Sequence, residues 1–138
     1  MELLSGAVTV RVIAGQFDAA KGPAQTFTPI NVWDVRLKPD ANVVLDVPAG
    51  HTLVLAVLSG HVVVNASDPV GPAEVLLLDR DGDSVSLSAD ADTVMLVLTG
   101  EPIDEPIVGY GPFVMNSPEE IRQALTDLRT GHFASVAA

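Results

Sequence analysis

An all-β sandwich or jelly roll carrying one C-terminal helix is the architecture the sequence predicts, on three observations. Eight or nine short segments are either alternating apolar and polar or wholly apolar. Clusters of Gly, Pro, Asp, Asn and Ser separate them at close spacing, as in sandwiches and barrels. One stretch, beginning at Ser117, carries the start signals of a helix.

Taken in order, Val8-Thr9-Val10-Arg11-Val12 alternates as a half-buried strand. Residues 15–29 read as a long polar loop turning at Lys21-Gly22-Pro23, long enough to pack across a sheet edge or another domain. Trp33-Asp34-Val35-Arg36-Leu37 alternates again and ends at Lys38-Pro39-Asp40, and the next strand puts Val43, Leu45 and Val47 on one face. After the turn Pro48-Ala49-Gly50, residues 52–58 are almost wholly apolar, which predicts cover on both faces. Ser59-Gly60 leads into His61-Val62-Val63-Val64-Asn65, and the pair reads as a hairpin. Residues 74–78 form a strand, Asp81-Gly82 is a hairpin-type turn, Val85-Ser86-Leu87 alternates, and residues 93–98 form a last apolar strand.

Residues 100–117 read as an ordered but irregular strap, because its prolines lack a donor and restrict their neighbours. Ser117 is placed as N-cap, Pro118 at the first helical position and Glu120 three residues after the cap, a capping box. Ile121, Leu125 and Leu128 give one apolar stripe that predicts burial against the barrel or a second subunit, and Gly131 is placed to end the helix. The expected organisation is one domain: barrel over 1–99, strap over 100–117 and helix over 118–131.

The strap also carries a likeness. Gly100-Glu101-Pro102-Ile103, Glu105-Pro106-Ile107-Val108 and Tyr110-Gly111-Pro112-Phe113-Val114-Met115-Asn116, followed by Glu119-Glu120-Ile121, resemble the end of the pirin family. The resemblance extends back through Val12-Ile13-Ala14-Gly15, Thr28-Pro29-Ile30 and Val57-Leu58-Ser59-Gly60, over almost the whole chain. Pirins are two-domain cupin proteins, and the likeness is to the C-terminal cupin half alone. It implies a cupin jelly-roll barrel, in agreement with the strand pattern.

Composition narrows the function. At 138 residues and 48 % apolar content the chain can bury a real core. No apolar run approaches the roughly 18 residues needed to cross a bilayer, and the first residues, Met-Glu-Leu-Leu-Ser-Gly, do not read as a signal peptide. There are no cysteines, which excludes disulfides and thiolate sites and fits a cytoplasmic protein. Eighteen acidic against seven basic residues give a net charge of −11, which argues against direct nucleic-acid binding, and six aromatics are too few for a base-stacking platform.

The resemblance implies where a metal would be sought. A cupin site gathers imidazoles and a carboxylate from two strand pairs, donors that suit iron, manganese or copper. Anchoring the first cupin motif at Gly60 puts Leu53 at the glutamate position and the histidine positions among Asp46, Val47, Pro48 and Ala49, none of them His. Anchoring the second at Gly82 puts Thr93 at its histidine position. The expectation is therefore a metal-free chain with no catalytic, cofactor or metal residues of its own, iron belonging to the N-terminal cupin of full-length pirins.

Of the histidines, His51 opens the most buried strand, where a structural cap is commoner than a lone ligand or pocket donor. His61 is expected to face solvent and His132 to sit at the helix C-terminus, where a cation favours the dipole. Asp79-Arg80-Asp81-Gly82-Asp83 lacks the glycine and glutamate spacing of a calcium loop and reads as a turn. Glu101, Asp104 and Glu105 read as solvated carboxylates, no serine lies in a Gly-x-Ser-x-Gly elbow, and Gly109-Tyr110-Gly111 is no phosphate loop.

Three functions are weighed. The first is a metal-free cupin that is not an enzyme, packing as a homodimer or against a second cupin domain and binding protein partners; the resemblance implies a setting of iron-binding transcriptional co-regulators or partners of metabolic enzymes. The second is part of a metal-dependent dioxygenase of the quercetin 2,3-dioxygenase kind, with its metal in a separate N-terminal cupin. The third is a metal-free binder of a small apolar ligand at the barrel mouth.

Overall fold

The computed structural model describes residues 1–133. The chain divides into two compact units, Met1–Pro102 and a second beginning at Ile103.

The first unit is a sandwich of two antiparallel sheets. Its strands are β1 (Glu2–Leu3), β2 (Val8–Ala14), β3 (Gln16–Phe17), β4 (Ala20–Lys21), β5 (Ile30–Leu37), β6 (Ala41–Asp46), β7 (Thr52–Ser59), β8 (Val62–Val64), β9 (Pro69–Val70), β10 (Val75–Leu78), β11 (Ser84–Ala89) and β12 (Thr93–Gly100). One sheet runs β1-β2-β5-β12-β7-β10 and the other β6-β11-β8-β9, while β3 and β4 form a small separate hairpin. The period of two explains the core. Val10, Trp33, Leu55 and Val97 from the larger sheet meet Leu45, Val64 and Leu87 from the smaller one, all essentially without solvent exposure.

Several expectations need correcting. The segments on either side of Gly60 do not form a hairpin: β7 pairs with β10 and β12, whereas β8 pairs with β9 and β11 in the other sheet. Gly60 is a corner at φ +78°, where a Cβ would come within 2.4 Å of the Asp92 carbonyl oxygen and the Thr93 hydroxyl. Asp79–Asp83 likewise links β10 to β11 across the two sheets rather than closing a hairpin. The 15–29 loop contains the β3–β4 pair. Nor are both faces of β7 sealed: Leu53, Leu55 and Val57 are buried, while Val54 and Ala56 are half-exposed.

The strap is not wholly irregular. In the second unit β13 (Val108–Tyr110) and β14 (Phe113–Met115) pair as a hairpin around Gly111. Helix α1 (Pro118–Thr130) follows with the expected ends. Ser117 Oγ accepts from the Glu120 N–H at 3.2 Å, and Glu120 Oε2 accepts from the Ser117 N–H at 2.9 Å. Gly131 closes the helix at φ +75°. The buried stripe is Ile121 and Ala124, packed with Phe113 and flanked by Leu125, whereas Leu128 is 54 % exposed. Leu128 lies one turn past the reach of the three-residue strands. Ile121→Ala should therefore lower the unfolding free energy by about 2–4 kcal/mol, and Leu128→Ala should change it little, both read by chemical denaturation of the helical signal.

Candidate functional site

Three polar side chains, Asn31, His51 and Thr99, meet at the end of the sandwich where β5 and β7 begin and β12 finishes. The register places Asn31 of β5, Thr99 of β12 and Leu53 of β7 side by side. Residues opposite one another share a face, so the 4 %-exposed Thr99 hydroxyl meets its neighbours. Thr99 Oγ1 accepts from Asn31 Nδ2 at 2.9 Å and lies 3.2 Å from His51 Nδ1. Asn31 Oδ1 accepts from the Gln16 N–H at 2.9 Å, which anchors the β3–β4 hairpin to the network. The Thr99 hydroxyl has one proton to donate and two lone pairs to accept with, so it can serve Asn31 and His51 Nδ1 together. Thr99→Val keeps the shape and strands both partners, so a loss of about 1–3 kcal/mol in unfolding free energy is expected by denaturant titration.

Two cavities open at this end and share Val47 and Pro48. One, of about 350 Å³, lies between His51, Leu53, Val64 and Leu78 and the Asp79–Arg80–Asp81–Gly82 loop. The other, of about 620 Å³, is walled by Phe17, Trp33, Asn31 and Asp46. Trp33 is 1 % exposed, and its indole nitrogen is buried with no hydrogen-bond partner among the described residues. An unpaired buried donor costs about 1–3 kcal/mol.

The positions singled out from sequence separate. Leu53 is 5 % exposed and stands at the cavity end. Thr93 is at the opposite end of β12, opposite Leu37, so no single ion could lie between Thr93 and Leu53. The Thr93 hydroxyl instead ties down the Gly60 corner: it accepts from the His61 N–H at 3.2 Å and lies within donating distance of the His61 carbonyl at 2.9 Å and the Ala91 carbonyl at 3.0 Å. Counting from Gly82 fails because the loop that holds it crosses between sheets. The residue beside Leu53 on β12 is Thr99, and its signal was the alternation Thr93-x-Met95-x-Val97-x-Thr99, which aims a hydroxyl inward at each end of the strand.

His51 bonds a side-chain hydroxyl rather than capping the backbone, His61 is exposed, and His132 lies beside Thr130 Oγ1 at 2.9 Å. Glu101, Asp104 and Glu105 are exposed. No group of three His, Cys, Asp or Glu side chains converges among the described residues. One imidazole with a threonine hydroxyl, an asparagine amide and a leucine is not a donor set for iron, so the residues present do not fit the metal that a cupin fold implies. No helix among the described residues is long and apolar enough to cross a membrane.

The sequence profile of the pirin C-terminal cupin domain matches residues 32–134. The chain belongs to the pirin C-terminal cupin domain family. Human pirin is 38 % identical over 127 residues, 88 % of this chain and 43 % of that protein. A Pseudomonas aeruginosa protein provisionally named a quercetin 2,3-dioxygenase is 51 % identical over 124 residues, 90 % of this chain and 43 % of its own length. Among solved structures, a quercetin 2,3-dioxygenase from Acinetobacter baumannii superposes with a TM-score of 0.83 at 44 % identity, over 96 % of this chain and 50 % of that one. This pirin-family chain thus spans about half the length of the relatives it matches. The expectation of a chain that is not an enzyme is overturned by these relatives, since those at 51 % and 44 % identity bear the name of an oxygenase. Missing ligand positions in one half say nothing about the whole.

Proposed function

We propose that this chain is the C-terminal cupin half of a pirin-type, metal-dependent dioxygenase of the quercetin 2,3-dioxygenase kind, with the metal and the chemistry in a separate N-terminal cupin. The observation that carries the reading is the 44 % identity to a quercetin 2,3-dioxygenase over 96 % of this chain and only 50 % of that one. The hydrocarbon at Leu53 and the structural engagement of Thr93 support placing the metal elsewhere.

The outer face of the larger sheet supplies the surface for that second cupin. Leu77, Val54, Leu98 and Val32 form one row across four strands, and Leu77 and Val75 are 68 % and 67 % exposed. Asp34, on the same face, holds Arg11 at 2.7 Å and Arg36 at 3.2 Å. Its hydrogen bond and charge push the Arg36 pKa up. Bare apolar rows of this kind mark interfaces, and the missing half of the relatives' length is the occupant that fits.

The test is oxygen uptake with quercetin by this chain alone, by the N-terminal half of the Acinetobacter baumannii protein alone, and by the two combined. Activity that appears or rises on combination, and is lost with Leu77→Asp while the melting temperature of this chain is unchanged, supports the reading. A combination no better than the N-terminal half alone counts against it. Self-association of this chain through the same face would make a second copy the occupant.

A further inference from the structure

We propose that the Asp81–Gly82 bond is a covalent modification site: Asp81 converts to isoaspartate in the folded chain, and the α-carboxylate this exposes accepts a methyl group from S-adenosylmethionine through a carboxyl methyltransferase. The inference rests on the loop between β10 and β11 and does not require the chain to be part of an oxygenase.

Asp81–Gly82 is the single aspartyl–glycyl pair in the sequence. With no Cβ in the way, a glycine nitrogen can swing onto the preceding side chain. The fold leaves this one free to do so. Residues 79–84 are all exposed. Among the described residues the Gly82 N–H has no backbone acceptor, and the Asp81 carboxylate has no ion-pair partner. Gly82 stands at φ +96° with nothing within 4 Å of where a Cβ would be, so a ring has room to close. Exposed backbone without internal hydrogen bonds is also where local motion concentrates.

The chemistry balances without a co-reactant. The Gly82 nitrogen attacks Asp81 Cγ in its protonated form. A C–N bond forms, and the carboxyl hydroxyl leaves as water with the amide proton. Water then adds to the Asp81 α-carbonyl of the succinimide and breaks the original peptide bond. The chain now runs through Cβ and Cγ, longer by one methylene and unchanged in mass, and the α-carboxylate projects from it. Asp81 and Gly82 line the cavity of about 350 Å³ with His51 and Leu53, so the lengthened loop remodels that wall.

The structure protects the other reactive pair of this kind, Asn116–Ser117. The Ser117 N–H, which would be the nucleophile, is held by Glu120 Oε2 at 2.9 Å in the capping box. The Asn116 amide donates to the Pro106 carbonyl at 2.9 Å, which fixes the electrophile as well.

The test holds the purified full chain at neutral pH and body temperature for several weeks. Isoaspartate is located by electron-transfer mass spectrometry of its peptides and totalled by methyl transfer from labelled S-adenosylmethionine with isoaspartyl O-methyltransferase. Isoaspartate is expected at position 81, forming at least about tenfold faster than at Asp83. Asp83 precedes Ser84, whose backbone is already paired in β11. Asp81→Glu should abolish most methyl acceptance, because its ring would need six members and closes far more slowly. Asn116 should stay intact in the folded chain. In guanidinium the order should reverse, since an asparagine amide is a better electrophile than an ionised carboxylate once the capping box is gone. Isoaspartate no faster at 81 than at 83, undiminished methylation of Asp81→Glu, or Asn116 reacting as fast as Asp81 in the folded chain would each overturn the proposal.

Discussion

Gly60→Ala is expected to unfold a large share of the molecules at ordinary temperature. Two separate terms act at this corner. The backbone is at φ +78°, and holding a residue with a Cβ there costs on the order of 1–3 kcal/mol. The new Cβ would also sit 2.4 Å from the Asp92 carbonyl oxygen and 2.4 Å from Thr93 Oγ1, inside contact distance of a rigid backbone. Overpacking of that kind adds about 1–3 kcal/mol. Together they approach the roughly 5–15 kcal/mol by which a whole domain is stable. Thermal melts followed by circular dichroism measure it, and Thr93→Val is the companion variant. Removing the hydroxyl takes away the acceptor of the His61 N–H without adding bulk, so its loss should be the smaller, about 1–3 kcal/mol. Equal melting temperatures for the wild type and Gly60→Ala would show that the corner is not held as described.

Leu55→Ala has the second largest expected effect. Leu55 is 0 % exposed, on β7 between Val97 and Leu76 in register, and it lies in the core cluster with Leu45 and Leu87 of the opposite sheet. Truncation leaves a cavity between two sheets that cannot collapse independently, which predicts a loss of about 2–5 kcal/mol in denaturant unfolding. Leu77→Ala changes the same residue type in the neighbouring strand, on the opposite face, at 68 % exposure, and should be nearly silent. The contrast checks the facing of the sheet, because a one-residue slip in register would exchange the two outcomes.

Much of this architecture was readable from local pattern. The strand alternation around Val10, Trp33 and Leu87, and the Ser117–Pro118–Glu120 start with Gly131 as stop, all depend on neighbours within a few residues. The assignment of strands to sheets was not local. Gly60 and Gly82 both have the positive φ of hairpin glycines, yet each carries the chain from one sheet to the other. Whether a turn stays within a sheet is decided by what packs above it, as Thr93 and Asp92 do at Gly60. The β13–β14 hairpin was hidden because strands of three residues between prolines and glycines show too little alternation to register.

The site was harder still. His51 and Thr99 are 48 residues apart and Asn31 and Thr99 are 68 apart, so their network has no spacing signature in the chain. Counting from cupin motifs found Leu53 but paired it with Thr93, because a motif written for one loop geometry does not transfer to a loop that crosses sheets. The orphan nitrogen of Trp33 depends wholly on which acceptors the fold leaves nearby. What the sequence did expose was a leucine at the glutamate position and no histidine among Asp46, Val47, Pro48 and Ala49, an observation about one half of a longer type of protein, since the matched relatives are about twice as long.

We propose, centrally, that this cupin has no grip on a transition metal and that the oxygenase chemistry resides in a separate N-terminal cupin. Iron analysis tests it most directly: the purified chain is loaded anaerobically with ferrous iron, passed through a desalting column and measured by plasma mass spectrometry. The account predicts far less than one iron per chain, and about one per complex once the N-terminal cupin is added. One tightly held iron in this chain alone, lost with His51→Ala, would contradict it.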